Sequence, residues 1–322
     1  MTILVIILSC LNIFFECSSA RNGNILYIGE TGNSNYSFIQ DAINNSYDND
    51  IIFVYSGNYS ENIKINKSIN LIGEDKNTTT INGTNSIYII SILSNNVTIT
   101  GFTLHNSKMA IYVRSDNNTI KNNIIANNSN GIYLENSSKN NIISNNTLQN
   151  NFEGINFYNS SENQIIKNHI KHQKAFGVSL WENSNYNLIL NNTFIDDCIA
   201  VSLSRWCNNN SIIGNNMTRN SWGLYLDYSF YNFIFENLIY KGSGGINLFN
   251  SNFNNVSNNS FEYNNQGIYL TNSDENDMFD NIFIENKADI RKSSEPALFV
   301  VFIPVTLLLL FIIYNWKKRK IK

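Results

Sequence analysis

Asp196 and Asp197 are neighbouring carboxylates, and two carboxyl groups can divide the work of acid and base across a glycosidic bond. With Glu182 and Arg205 they are also the nearest the chain comes to the carboxylate cluster and basic residue that a calcium-using lyase needs. That grouping is thin, and a solvated acidic corner is the plainer reading of the pair. Softer donors are scarce. His105, His169 and His172 are the only histidines, and Cys198 and Cys207 the only cysteines beyond residue 20. We therefore expect no metal site and no cofactor. The two cysteines flank an extended stretch, Ile199 to Ser204, which would hold them roughly 20 Å apart. A disulfide needs Cα atoms within about 7 Å, so both thiols are expected to be free.

What must position these residues is a repeat. The strings Gly131-Ile-Tyr-Leu134, Gly154-Ile-Asn-Phe157, Gly177-Val-Ser-Leu180, Ala200-Val-Ser-Leu203, Gly223-Leu-Tyr-Leu226, Gly245-Ile-Asn-Leu248 and Gly267-Ile-Tyr-Leu270 follow one another at 22 or 23 residues. Ala110-Ile-Tyr-Val113 is an earlier member. Each unit adds a second apolar point (Ile143, Ile165, Ile189, Ile212) and a third (Leu148, Ile170, Phe194, Met217), separated by Asn and Ser. Three short apolar strands per unit describe one coil of a right-handed, single-stranded parallel β-helix, an all-β fold. A lone coil buries nothing, so the coils must stack around one interior. Residues 51–290 supply about eleven coils and a rod about 50 Å long. No separate second domain fits.

Asn makes up about a fifth of the chain, far above ordinary usage. Asn140, Asn163, Asn187, Asn232, Asn254 and Asn276 form one column, and Asn145, Asn168, Asn191, Asn215, Asn237, Asn258 and Asn281 another. Asn tolerates the left-handed backbone of a sharp corner, and stacked amides can form ladders. We read these columns as structure, and the repeat Gly as the remaining corner.

The strand after each repeat Gly alternates, so Ile132 and Leu134 point inward while Tyr133 and Glu135 point out. Carried along the rod, this gives an outward column running from Tyr112 and Arg114 to Tyr269 and Thr271. Tyr133, Glu135, Tyr158, Trp181, Tyr225, Asp227, Phe249 and Tyr269 are its candidate carbohydrate-binding residues, because sugar rings stack on aromatic faces and bond to polar side chains. The competing reading is that outward aromatics stabilise cross-strand packing.

Ser37-Phe-Ile-Gln-Asp-Ala-Ile43, Asp50-Ile-Ile-Phe-Val54, Gly57-Asn-Tyr-Ser-Glu61 and Lys67-Ser-Ile-Asn-Leu-Ile-Gly-Glu74, followed by the Gly strings, resemble the NosD-like β-helix proteins. These are also described as carbohydrate-binding and sugar-hydrolase (CASH) domains. The resemblance covers about residues 25–290 and implies an extracytoplasmic location and, often, glycan contact. Its namesake members assist copper-site maturation in nitrous oxide reductase, a role that this chain's few soft donors do not favour. Asp196-Asp197-Cys-Ile-Ala-Val201 also resembles the paired-aspartate segment of polygalacturonase-type hydrolases. The Asn-Thr-Asp, Gly-His-Gly and Arg-Ile-Lys segments of that pattern have no counterpart here, so one motif of four matches.

Two apolar segments bracket the repeats. Thr2 to Phe15, followed by Ser18-Ser19-Ala20, reads as a signal peptide over 1–20, although no basic residue stands near Met1 and an uncleaved anchor stays open. Residues 21–50 form an N-terminal cap, where Ser37-Phe-Ile-Gln40 fits a capping box opening a short helix. After a linker at 291–296, Ala297 to Trp316 is long enough and apolar enough to cross a bilayer. The basic tail 317–322 stays on the cytoplasmic side, which puts the repeats outside. An apolar stretch with a basic end also suits a processed sorting signal, and both readings stand. Some of the Asn-x-Ser/Thr sequons between Asn35 and Asn258 would then meet glycosylation enzymes. A net charge of −3 gives no reason to expect nucleic acid. The sequence therefore predicts a single-pass cell-surface β-helix that binds glycans or serves as an envelope or adhesion scaffold, without catalysis. A pectinase-like hydrolase or lyase is the alternative, and NosD-type copper maturation a second.

Overall fold

A computed structural model describes residues 23–29 and 34–293, which wind into a right-handed parallel β-helix. One face is a sheet of twelve parallel strands, from Ile25–Ile28 and Ile51–Val54 to Asp277–Phe279. The extra coil relative to a count from residue 51 comes from Ile25–Ile28, which pairs in register with Ile51–Val54 ahead of the helix. A second face carries the Gly strings, from Asn130–Leu134 through Phe176–Trp181 and Gln266–Thr271 to Ile290–Ser293. The third holds three-residue strands such as Thr147–Gln149 and Thr193–Ile195. The expected linker thus begins later, since residues 291–293 still pair with the preceding coil. The expected signal peptide (1–20), membrane span (297–316) and basic tail (317–322) lie outside the described residues. Among the described residues, no helix is long and apolar enough to cross a membrane.

Like stacks on like in the interior. Ile143, Ile165, Ile189, Ile212, Ile234 and Val256 make one fully buried file, and Leu148, Ile170, Phe194, Met217, Ile239 and Phe261 another. Each side chain then has a similar neighbour above and below at about 4.8 Å, which keeps apolar surface from water along the whole rod.

The repeat glycines are not corner residues. None of Gly131, Gly154, Gly177, Gly223, Gly245 and Gly267 has a positive φ, and each lies inside a strand. Close approach of the next coil selects them instead: a Cβ at Gly177 would lie 2.6 Å from the Ala200 carbonyl oxygen and 2.7 Å from the Phe194 ring. Ala200 shows that one methyl can be accommodated where the neighbours adjust.

The two roles expected of Asn also fall on different residues. Asn140, Asn145, Asn191 and Asn258 hold the left-handed corners, with φ of 54–56°. The residue after each, Asn141, Asn146, Asn192 and Asn259, points inward and forms the ladder. In other coils the corner is taken by Glu162, Lys167, His172, Tyr186, Arg219, Tyr231 or Phe253, at φ of 53–60°. The corner therefore accepts almost any side chain, while the ladder position holds an amide in every coil of two ladders and in all but two steps of the third. Each ladder Oδ1 accepts the backbone N–H of the previous coil at 2.7–3.1 Å, and most Nδ2 groups donate to a backbone carbonyl. Two ladders, Asn118 to Asn276 and Asn123 to Asn281, are unbroken. The third runs Asn128, Asn151, Gln173, Asp197, Asn220, Gly242, Asn264 and Asn286.

A fourth buried column is made of Ser115, Ser138, Ser160, Ser184, Cys207, Ser229, Ser251 and Ser273. Cys207 stands where the other seven members of this column are Ser, and its Sγ donates to the Ser204 carbonyl at 3.1 Å. Both cysteines are free, Cys198 exposed and Cys207 buried. Burial pushes the Cys207 thiol up to about 12, so it is inert toward alkylation in the folded chain. Cys207→Ser is expected to restore the column and change stability by less than about 1 kcal/mol. Thermal unfolding checks this, and a loss well beyond that range would show that the site needs sulfur's volume.

The helix Ile39–Asn45 buries Ile39, Ala42 and Ile43, but its start is not a capping box. Phe38 is the N-cap and makes no side-chain cap bond. The Glu61 carboxylate, from the following coil, accepts the Ile39 and Gln40 amides at 2.9 and 3.0 Å instead. Gln40 also bonds through its side chain to both backbone groups of Lys64, completing a strand edge with an amide.

Candidate functional site

The expected outward column lies on the second face, where strand pairing sorts it into parallel files. Ser91, Tyr112, Tyr133, Asn156, Ser179, Ser202, Tyr225, Asn247, Tyr269 and Arg291 follow one another in register. Two residues further along each strand, Tyr158, Trp181, Ser204, Asp227, Phe249, Thr271 and Ser293 form a second file. Pointing outward does not make these residues exposed. Ser179, Ser202, Asn156, Asn247, Tyr112 and Tyr269 are buried. They form a floor between the second file and an opposite file that carries Glu153, Phe176, Ile199 and Trp222.

The eight candidate residues divide accordingly. Tyr133 stacks on Tyr112, with ring centroids 6.4 Å apart and planes 14° from parallel. Tyr112 stacks in turn on Tyr88 at 4.7 Å and donates its hydroxyl to Glu135. These rings face one another along the rod and present their edges outward, as cross-strand packing requires. Tyr269 is buried beneath the Arg291 guanidinium, which sits 5.7 Å from the ring centroid. Phe249 meets Tyr228 edge-on, and Tyr225 is half-buried, its hydroxyl pushed up to about 12 by burial. Tyr158 and Trp181 differ from the rest: paired directly on adjacent strands, they are 46% and 37% exposed. Arg205 lies over the Trp181 ring at 5.0 Å and bonds to Glu182 at 2.9 Å, which fixes the indole. Asp227 is half-buried. Its carboxyl is raised by burial, with Arg205 pulling the other way, and its Oδ1 has no hydrogen-bond partner.

Glu153 was not among the candidates. It lies one file over from the expected column, at the position before the repeat Gly, where other coils carry Asn, Phe, Ile, Trp, Gly or Gln. Its carboxylate accepts the Asn130 and Asn156 amides, and burial raises its pKa against them. It borders a cleft of about 730 Å³ lined by Asn106, Asn128, Asn130, Phe152 and Lys174. The only sign of it in the sequence is a charge at a position that is otherwise uncharged.

Asp196 and Asp197 are adjacent in sequence but not in surroundings. Asp196 is a left-handed corner residue whose carboxylate takes two bonds from Arg219, at 2.8 and 2.7 Å, with His172 at 3.9 Å. The Arg219 bonds hold its pKa below the ordinary carboxylate value. Asp197 points the other way, into the third ladder, and is 3% exposed. Its Oδ1 accepts the Gln173 backbone N–H at 2.7 Å, while its Oδ2 is buried with no partner. Burial pushes it up to about 7. One carboxyl is therefore tied to an arginine at the surface, and the other is part of the interior.

The chain matches the family described as periplasmic copper-binding protein (NosD) over residues 16–206 and 197–298. No curated protein matches it. Solved structures of like fold include the A-module of the Azotobacter vinelandii mannuronan C-5 epimerase AlgE4, with a TM-score of 0.66 and 14% identity, over 80% of this chain and 94% of that one. The catalytic domain of a GH87 α-1,3-glucanase, solved with nigerose, gives 0.60 and 13%, over 84% and 68% of the two chains. Pectin methylesterase from carrot gives 0.52 and 13%, over 71% and 84%. At such identities the likeness establishes the fold alone.

Proposed function

The chain belongs to the NosD family, and from that premise we propose that it is a surface β-helix that holds a glycan chain along its second face. Tyr158 and Trp181 carry the proposal, as two exposed rings on adjacent coils beside a continuous floor of hydroxyls and amides. A pyranose residue advances a glycan by about as much as one coil advances the rod, near 4.8 Å, so successive sugars meet successive coils. Aromatic bodies with polar neighbours suit sugar rings, which offer both C–H faces and hydroxyls. The helix Ile39–Asn45 serves as lid to the first coils, and the segment 297–316 holds the rod on the outer side of a membrane.

Catalysis is not part of the proposal. A hydrolase or lyase keyed to Asp196 and Asp197 draws its support from the fold likeness, and two carboxylates in such different settings give it little more. Copper handling draws on the family's description. Among the described residues no three His, Cys, Asp or Glu side chains are grouped to hold a metal ion, and the Cys207 thiol is committed to the Ser column. The described residues therefore do not fit a copper ligand set.

Presented to a glycan array, the full chain is expected to retain one class of polysaccharide. Tyr158→Ala with Trp181→Ala should weaken that retention by roughly tenfold or more, as removal of a stacking pair does. Equal retention by wild type and double variant would reduce the two rings to surface packing.

A further inference from the structure

Resting on the glycan-binding reading, we propose that Asn247, Gln266 and Thr271, with Asp227, form a subsite that selects a neutral, hydroxyl-rich glycan over a uronate. Five buried side-chain oxygens among the described residues lack a hydrogen-bond partner. One is Asp197 Oδ2 in the interior ladder. The other four are Asp227 Oδ1, Asn247 Oδ1, Gln266 Oε1 and Thr271 Oγ1, and all belong to three successive strands of the second face, Trp222–Asp227, Gly244–Phe249 and Gln266–Thr271. In register, Asn247 lies between Tyr225 and Tyr269, Phe249 between Asp227 and Thr271, and Gln266 beside Gly244.

Buried polar atoms are nearly always bonded, because an unpaired one keeps its full desolvation cost. Four on one patch of one face point to a partner that arrives from outside. Thr271 is 1% exposed and Asn247 5%, so neither is an ordinary solvated side chain. The partner's chemistry follows from the atoms. A carboxylate and two amide carbonyls accept and do not donate, so what meets them must bring donors. Sugar hydroxyls do this, whereas a uronate carboxylate brings further acceptors and a second negative charge against Asp227. The cations nearby are already engaged, Arg205 by Glu182 and Trp181, and Arg291 by the Tyr269 ring. This patch begins two coils from Trp181 in register, Trp181 to Ser204 to Asp227 being successive pairings, so one glycan several sugars long spans both.

The test titrates the full chain with neutral gluco-, manno- and xylo-oligosaccharides and with oligogalacturonate and oligomannuronate of equal length. At least one neutral series is expected to bind roughly tenfold more tightly than either uronate. Thr271→Val should weaken that binding by roughly tenfold and raise the thermal midpoint, since it removes an unpaired hydroxyl at nearly constant shape, while Thr271→Ser should keep the affinity. Uronates bound as well as the neutral sugars would overturn the inference and leave glycan binding standing. So would a Thr271→Val variant that binds unchanged or melts lower, the latter showing that the hydroxyl has a structural partner. No binding to any of the five series would remove the reading beneath it.

Discussion

Asp197→Asn is expected to leave stability nearly unchanged at pH 4 and to raise it by up to about 4 kcal/mol at pH 8, as judged by denaturant unfolding. Asp197 occupies a ladder position where an amide Nδ2 would donate to a carbonyl of the neighbouring strand. Gln173 donates there to Leu148 O at 2.9 Å, and Asn220 to Phe194 O at 3.3 Å. Ile170 stands between Leu148 and Phe194 in register, so its carbonyl is the one that Asp197 should serve. An ionised carboxylate cannot donate, but a protonated one can. Burial, opposed by the Gln173 backbone N–H and assisted by Asp196, lifts the folded value to about 7 from 3.8. Between these values the folded chain keeps a proton that the unfolded chain has released. The stabilising contribution is therefore full below about pH 4, declines as pH rises to about 7, and is absent above it. Asp227 and Glu153, also raised by burial, add slope of the same sign, so the measured quantity is the difference between wild type and variant. If the two chains show the same slope between pH 4 and 8, the Asp197 carboxyl is not protonated in the fold.

The interior of this rod was legible in the sequence because its signal repeats. Apolar points at three places in each 22- or 23-residue unit leave few alternatives to stacked coils. Spacing alone places the Asn columns a residue off in several coils, since Asn-Asn doublets such as Asn145-Asn146 hide which member does what. Coils without a doublet carry the missing signal. In Glu162-Asn163, Lys167-Asn168, Tyr186-Asn187 and Glu236-Asn237 the first residue varies freely and the second is always the amide. The same comparison puts Asp197 in line with Asn151, Gln173 and Asn220, and so marks it as a substituted ladder residue rather than half of an acid pair. The binding strip was only partly legible. Alternation gives the direction of a side chain but not the height of its neighbours, so Tyr269 and Tyr158 look alike in sequence while one is buried and the other exposed. The unpaired oxygens at Asn247, Gln266 and Thr271 depend on packing between coils, which no spacing rule expresses.

If the ladder and corner roles are separate, neighbouring substitutions should differ sharply. Asn146→Ala is expected to cost about 3–5 kcal/mol, at 1–3 kcal/mol for each buried group left unpaired. Asn146 Oδ1 accepts the Asn123 backbone amide at 3.0 Å and its Nδ2 at 3.2 Å. Its own Nδ2 donates to Ile120 O at 2.9 Å and to Asn168 Oδ1 at 3.1 Å. All of these groups lie away from water, so none can turn to solvent when the amide is removed. Asn145, exposed with φ of 55°, makes no comparable set of bonds. Asn145→Ala should cost about 1 kcal/mol for a left-handed Ala, and Asn145→Gly almost nothing, because Gly adopts that backbone freely. The large loss should also be local in effect. Each coil contacts only its neighbours, so weakening one ladder step lowers the coupling between the two halves of the rod. Hydrogen exchange should then show amides of the coils around residue 146 opening ahead of those near residue 234. An Asn146→Ala variant no less stable than Asn145→Ala would mean that the stacked amides only fill space.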